Sequence, residues 1–89
     1  MRSRTTRAFR DRLRSLPEPV RRAARIAYGR FQHDPSHPGL RFKRIHALRA
    51  IDSVRVARGY RAIGKRDDGG MLWFWIGSHS DYDQVLKQL

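Results

Sequence analysis

The hydrophobic period of this chain changes near residue 41, and that change limits the folds open to it. Before it, Phe9, Leu13 and Leu16 are spaced four and three apart, and a second apolar stripe runs from Val20 to Phe31. Such spacings place side chains on one side of an α-helix. After residue 41, apolar and polar residues alternate, as in a half-buried β-strand. The sequence therefore predicts an α+β fold with helices first and strands after them.

Two helices are expected before the change of period. The first covers Thr5 to Leu16 and ends at the break formed by Pro17-Glu18-Pro19, because proline does not continue a helix. The second runs from Val20 to about His33. Small alanines in its stripe favour close packing, so the two helices are expected to form a hairpin.

About four mostly antiparallel strands are expected after it, at residues Arg41–Ala47, Ser53–Val56, Tyr60–Lys65 and Met71–Ile76. Turn signals separate the later strands, because Gly-containing pairs favour tight turns.

The last strand is apolar on both faces, which is typical of a central strand covered twice. Strict alternation would place Leu72, Phe74 and Ile76 on one face and Met71, Trp73 and Trp75 on the other. A short final helix is expected through Leu89, capped by Ser78 or Ser80.

Composition limits the class of protein. The 89 residues suffice for one domain, residues 1–89. There is no cysteine, so a disulfide framework and a thiolate metal site are excluded, and a reducing cytoplasm is the expected location. No stretch approaches the roughly 20 apolar residues of a membrane span, so no membrane association is expected.

The formal net charge is +12, from 20 Lys and Arg against eight Asp and Glu. A small, strongly basic domain usually meets a polyanion, and nucleic acid is the first candidate. Arginine dominates, and its planar fork pairs with phosphate. The alternative is that the charges only form solvated faces in an arginine-rich composition.

Two segments carry a resemblance. Arg55 to Ile63 reads Arg-Val-Ala-Arg-Gly-Tyr-Arg-Ala-Ile, and Trp73 to Tyr82 ends in Gly-Ser-His-Ser-Asp-Tyr. With the preceding hairpin, they resemble the RelE/ParE superfamily of small basic bacterial toxins. The His-Ser-Asp run is similar to the YafQ/RelE-like branch.

The resemblance implies a helical hairpin on an antiparallel sheet, with a concave sheet face that takes RNA, often in the ribosomal A site. It also implies an antitoxin that masks this face. The ParE branch instead poisons gyrase. This chain departs from several RelE-like members, because no Arg follows His79 and no Glu occupies the middle strands.

Candidate site residues follow from the chemistry that RNA cleavage requires. Attack by the 2′-hydroxyl needs a base, a cation for the phosphorane and an acid for the leaving oxygen. The candidate catalytic residues are His79 as acid–base group, Arg61 as phosphorane clamp, His46 as second acid–base group, and Tyr82 and Asp81 beside His79. The alternatives are that His79 caps a helix or is a surface histidine, and that Arg61 is one more phosphate contact or a solvated arginine. His46 could likewise be a surface histidine, and Tyr82 could pack the last helix on the sheet.

Further basic residues are candidates for binding RNA phosphates: Arg55, Arg58, Arg41, Lys43, Arg44 and Lys65. Arg55 alternates with Val54 and Val56, so it is expected to point away from their buried face. The two tryptophans are expected to pack the core rather than stack on bases. The four histidines have no zinc-site spacing, so no metal and no cofactor are expected.

The leading hypothesis is a metal-independent mRNA endoribonuclease, ribosome-dependent, with mRNA, the ribosome and a cognate antitoxin as partners. The antitoxin is expected to cover the second apolar face of the last strand or the face of Arg55 and Arg61. Two alternatives stay open: a ParE-like gyrase inhibitor without nuclease activity, and a non-catalytic RNA-binding relic of the superfamily.

Overall fold

A computed structural model describes residues 2–89. Within that range the elements are β1 (Arg2–Thr5), α1 (Arg7–Arg14), α2 (Glu18–His33), β2 (Lys43–His46), β3 (Ile51–Ala57), β4 (Tyr60–Asp67), β5 (Gly70–Ser78) and α3 (His79–Leu86). A single 3₁₀ turn at Pro38–Leu40 joins α2 to the sheet. The α+β fold, with a helical hairpin, an antiparallel meander and a short last helix, is confirmed.

The sheet has five strands in the order β1-β5-β4-β3-β2. Strands β2 to β5 form the expected antiparallel meander, while β1 pairs in parallel with the first half of β5, from Arg2 opposite Gly70 to Thr5 opposite Trp73. The sequence prediction missed β1, because a four-residue polar segment shows no period of its own. A first helix starting at Thr5 was also wrong. The side chain of Thr6 accepts a hydrogen bond from the Phe9 amide at 3.1 Å, and the helix begins at Arg7.

One face of the sheet, called here the hairpin face, is covered by α1 and α2. Its core joins helix residues such as Phe9 and Phe31 to sheet residues such as Val54 and Trp73. The Phe31 ring meets the Trp73 ring edge-on, with centroids 5.1 Å apart. Buried alanines in α2 allow the helix to approach the sheet closely, whereas the sequence had predicted that they would bring the helix close to α1.

A β-bulge in β5 breaks the expected alternation of that strand. Trp73 pairs with Gly64 and Trp75 pairs with Ile63, so Phe74 is an extra residue without a partner on β4. The bulge moves Trp75 to the sheet face opposite Trp73. The prediction that the two tryptophans share a face was therefore wrong. Trp73 lies in the core under the hairpin, whereas Trp75 packs with α3.

Helix α1 covers the edge of β5 beyond the end of β1. The Nε of Arg12 donates to the carbonyl oxygen of Ile76 at 2.8 Å, and its guanidinium carbon lies 4.9 Å from the centre of the Trp75 ring. An uncovered sheet edge invites pairing with other chains. Together β1 and α1 protect this edge of the sheet from pairing with other chains.

Candidate nucleic-acid interface

The sheet face opposite the hairpin carries basic side chains and is called here the basic face. Directly paired residues share a face, so the register places Arg55 beside Arg61, and Lys43 beside Ser53. Lys65 lies on the same face further along β4. Arg55 therefore points away from the face of Val54, as its alternation predicted.

Tyr82 forms the centre of a side-chain cluster on the basic face. Helix α3 places its ring 6.3 Å from that of Trp75, and the residue is only 4% exposed. Its hydroxyl lies 3.0 Å from the Oγ of buried Ser53. The guanidinium carbon of Arg61 lies 5.4 Å from the centre of the Tyr82 ring, and the His79 ring meets it edge-on at 5.5 Å. One buried tyrosine thus positions an arginine and a histidine.

Arg61 is held by hydrogen bonds that fix its plane. Its Nε and Nη2 donate to the Oγ of Ser53 at 3.2 and 2.8 Å, and its Nη2 also donates to the carbonyl oxygen of Arg41 at 3.0 Å. Within residues 2–89, its Nη1 makes no such bond. The guanidinium is therefore oriented from one side, and the donors on Nη1 remain for a ligand.

His79 begins α3 and projects into solvent. The helix is capped by Ser78, whose Oγ accepts from the Asp81 amide at 3.3 Å, so His79 is not the cap. The backbone amide of His79 donates to the carbonyl of Gly59 at 2.8 Å, which fastens the start of α3 to the β3–β4 turn. Its side chain is 59% exposed, and its Nδ1 lies 3.6 Å from Oδ2 of Asp83. The imidazole is oriented yet open to a substrate.

Two of the candidate catalytic residues lie outside the cluster. Asp81 is in the first turn of α3, and it is Asp83, one turn after His79, whose carboxylate faces the histidine. His46 pairs with Ile51 at the far end of β3, and its Nδ1 accepts from the Arg49 amide at 3.2 Å. At about 3.3 Å per strand residue, the length of β3 puts roughly 20 Å between that end and His79.

Arg44 lies on the hairpin face, away from the cluster. It pairs with Asp52, which is fully buried, and Arg66 reaches the other oxygen of that carboxylate, Nη2 to Oδ2, at 3.3 Å. Arg44 therefore has a structural role, because it shares one buried carboxylate with Arg66. Arg58 lies exposed in the β3–β4 turn, near the start of α3.

Arg41 has a left-handed backbone, with φ of 45°, after the 3₁₀ turn. This conformation aims its carbonyl at Arg61.

Sequence reasoning missed Ser53 and Asp83 as members of the site. Ser53 alternates with Val54, so its face was readable, but its fully buried hydroxyl depends on Tyr82 and Arg61 arriving from distant segments. Asp83 lies four residues after His79, which is the spacing of neighbours on a helix surface. That spacing was the available signal for it.

No three His, Cys, Asp or Glu side chains among residues 2–89 come together as metal ligands. Nor does any helix in this described range have the length and apolarity to cross a membrane.

The chain is thus a small basic α+β protein, with a helical hairpin over one face of its sheet and an Arg–Tyr–His cluster on the other. Residues 18–84 match the family model described as a ParE-like toxin domain. The chain therefore belongs to this family, within the RelE/ParE superfamily of toxins, and the resemblance read from the sequence is confirmed.

Solved structures show the same fold. A chain of the RelB–RelE antitoxin–toxin complex from Methanococcus jannaschii matches with a TM-score of 0.75 and 13% identity, over 92% of this chain and 96% of that one. A chain of the archaeal RelE–RelB complex from Pyrococcus horikoshii OT3 matches with a TM-score of 0.71 and 16% identity, over 88% and 93%. No curated protein sequence matches the chain significantly.

Proposed function

We propose that this protein is a toxin that cleaves mRNA without a metal ion. The observation that carries the proposal is the Tyr82 cluster, in which a solvent-open His79 and a half-buried Arg61 contact the same tyrosine ring on the basic face. Histidine exchanges protons near neutral pH, and a fixed arginine stabilises charge on a pentacoordinate phosphate.

The proposed reaction is an attack by the 2′-hydroxyl oxygen of RNA on the adjacent phosphorus. A P–O2′ bond forms, the P–O5′ bond breaks, the 2′ proton is removed and the 5′ oxygen gains a proton. The products are a 2′,3′-cyclic phosphate and a 5′-hydroxyl. Nη1 of Arg61 is placed to bind the non-bridging oxygens, which carry the growing charge.

His79 supplies one of the two proton transfers. Its Nδ1 faces Asp83, which favours the tautomer with a proton on Nδ1 and leaves Nε2 for the substrate. His46 lies too far along the sheet to supply the other, and the Tyr82 hydroxyl is engaged by Ser53. Solvent or the ribosome is therefore the source of the second transfer.

The partners proposed are mRNA, the ribosome and an antitoxin, with action in the cytoplasm. Arg55, Lys43, Lys65 and the exposed Arg58 give the basic face its attraction for phosphates. The structural relatives come from antitoxin–toxin complexes, which supports an antitoxin as partner. An antitoxin lying on the basic face would cover the Tyr82 cluster and block RNA.

Single-turnover cleavage of a labelled RNA, on and off ribosomes, tests the proposal. His79→Ala should slow cleavage by about 10²–10⁴-fold with RNA affinity nearly unchanged, because proton transfer is lost and phosphate contacts remain. His33→Ala, a change of an exposed histidine at the end of α2, is the matched control and should cleave normally. EDTA should not inhibit. Full activity in His79→Ala would remove the mechanism.

A second candidate is gyrase inhibition without nuclease activity, favoured by the ParE-like description of the matching family model. Supercoiling assays with purified gyrase separate the two. Inhibited supercoiling, with no RNA cleaved in either setting, would assign the protein to this second function. Salt-dependent RNA binding with neither activity would leave the non-catalytic relic.

A further inference from the structure

A groove separate from the Tyr82 cluster lies beside the loop after α2. It has a volume of about 530 Å³, and its lining includes His37, Pro38, Arg41, Phe42 and Arg66. This volume is within the range of small-molecule sites, roughly 300–1,000 Å³. No carboxylate lines the groove, and two arginines do, so its chemistry suits an anionic ligand.

Two planar groups in the groove, the Phe42 ring and the Arg66 guanidinium, are held in place by other residues of the protein. The Phe42 ring stacks on buried Phe31, with centroids 6.1 Å apart and planes 14° from parallel. The guanidinium carbon of Arg66 lies 5.6 Å from the centre of the Phe42 ring, and Asp52 holds that guanidinium from behind. Nucleobases stack on aromatic rings and on arginine planes, so this pair offers a surface for a base.

His37 adds a hydrogen-bond donor of defined position. Its Nδ1 accepts from the backbone amide of Gly39 at 3.0 Å. In the neutral ring the proton is then on Nε2, which can donate to an acceptor on the edge of a base. The stacking surface and the donor distinguish a nucleotide site from a simple phosphate site, and the cations serve the phosphate in either case.

Arg41 connects the groove to the Tyr82 cluster. The residue lines the groove, while its carbonyl oxygen accepts from Nη2 of Arg61 at 3.0 Å. Phe42 and Arg66 lie on the hairpin side of the sheet, so an RNA strand with its scissile phosphate at Arg61 would reach the groove by passing around the β2 edge at Arg41. We propose that the groove is a nucleotide subsite, which takes the base of a nucleotide adjacent to the cut on Arg66 and Phe42, and its phosphate on Arg41. This inference rests on the function proposed above and adds a determinant of sequence preference.

The first experiment titrates the full-length His79→Ala protein with each nucleoside 5′-monophosphate and with ribose 5-phosphate, followed by backbone NMR shifts. The amides of Ser36 and Phe42 should move, and at least one nucleotide should bind on the order of tenfold more tightly than ribose 5-phosphate, because of base stacking. Equal affinity for the two ligands would reduce the groove to a phosphate site and overturn the proposal.

Variants then separate binding in the groove from folding. Phe42→Leu should remove the preference for a base, but Phe42 also packs on Phe31. Ser36→Trp fills the groove from an exposed loop position and should abolish nucleotide shifts in a folded protein. Arg7→Ala removes an exposed positive charge outside the groove, at the start of α1, and should bind nucleotides normally. Unchanged binding in Ser36→Trp would contradict the assignment.

Cleavage by the otherwise unchanged protein distinguishes failure of the subsite from failure of the proposed function. Ser36→Trp should flatten the preference for one base beside the cut while cleavage continues. If RNA is cut and neither the preference nor nucleotide binding changes, the subsite is wrong and the nuclease stands. If no RNA is cut but nucleotides bind the groove as described, the nuclease is wrong and the nucleotide site stands.

Discussion

The two faces of the sheet use the same strands for opposite purposes. On the hairpin face, Val54 and Ala62 are buried in a continuous apolar core under two helices. On the basic face, the next residues along these strands are Arg55 and Arg61, which stay partly exposed beside a short helix. Burial under two helices stabilises the first face. The second face also buries Ile63 and Trp75 beside α3, but next to them it holds cations where a polyanion can reach them. Stability and recognition should therefore respond to different substitutions.

Substitution of Arg61 should give the largest difference between the effect on RNA cleavage and the effect on stability. Arg61→Ala should slow RNA cleavage by about 10²–10³-fold, the usual loss for one electrostatic donor, with some loss of affinity. Thermal unfolding should change little, because Ser53 keeps its contact with Tyr82. Arg61→Lys should rescue poorly, since a point charge lacks the fork. Arg22→Ala, which removes an exposed ion pair with Glu18 on α2, is the control. An equal loss of cleavage in this variant would contradict the proposed difference between the two faces.

Asp52 tests whether charge on the hairpin face is structural. Asp52→Ala should lower the free energy of unfolding by about 3 kcal/mol, because two arginines lose a fully buried partner. Asp67→Ala, which breaks an exposed pair with Arg4, should cost less than about 1 kcal/mol. Denaturant unfolding of both variants gives the comparison. Equal costs would mean that the buried carboxylate contributes no more than a surface pair.

Two glycines compare a tightly packed position beside the β5 bulge, Gly64, with an open position on α2, Gly29. A Cβ at Gly64 would lie 2.6 Å from Cε3 of Trp73, a buried ring, so Gly64→Ala should cost about 1–3 kcal/mol through overpacking. Gly29→Ala in α2 adds a Cβ that meets nothing within 4 Å, and should be neutral or stabilising by up to about 1 kcal/mol. Melting temperatures of the two variants should shift in different directions, and a shared direction would contradict this description of the bulge.

The smallest effect is expected where α2 meets β1. The Tyr28 hydroxyl donates to the Ser3 carbonyl at 2.8 Å, so Tyr28→Phe should cost about 1 kcal/mol near neutral pH. Burial raises the pKa of the Tyr28 phenol above its ordinary value of 10.0. The folded state thus keeps this proton longer than the unfolded state, and stability falls as pH rises above 10.

Unfolding curves between about pH 8 and 11 check this, since that range brackets the ordinary tyrosine value. The high-pH loss should be smaller in Tyr28→Phe, and identical pH profiles would show that Tyr28 is not its source.

Local patterns predicted the elements of this fold, and long-range contacts decided the rest. The stripes of α1 and α2, the turn at Gly59 and the cap at Ser78 are readable from neighbouring residues, and they are confirmed. Strand β1 and the bulge at Phe74 depend on partners far along the chain, so a local period could not reveal them.

The same distinction holds for the site. Short motifs predicted His79, Arg61 and Tyr82 as site residues. In the structure, the side chains of His79 and Arg61 both contact the ring of Tyr82. Asp81 and His46 were chosen by residue type, and their positions depend on helix phase and strand length, which place both outside the cluster. Ser53 belongs to the cluster only because Tyr82 and Arg61 bind its hydroxyl. The catalytic roles of His79 and Arg61 remain predictions, which the variants above test.

The pairing of β1 with β5 has a consequence for the order of folding. Arg2 and its partner Gly70 lie far apart in the sequence, so this parallel pair closes a long loop, and closing it costs chain entropy. The Tyr82 cluster likewise joins Ser53 to residues of the final helix. Arg61 and His79 therefore come together around Tyr82 only after segments that are distant in the sequence have packed.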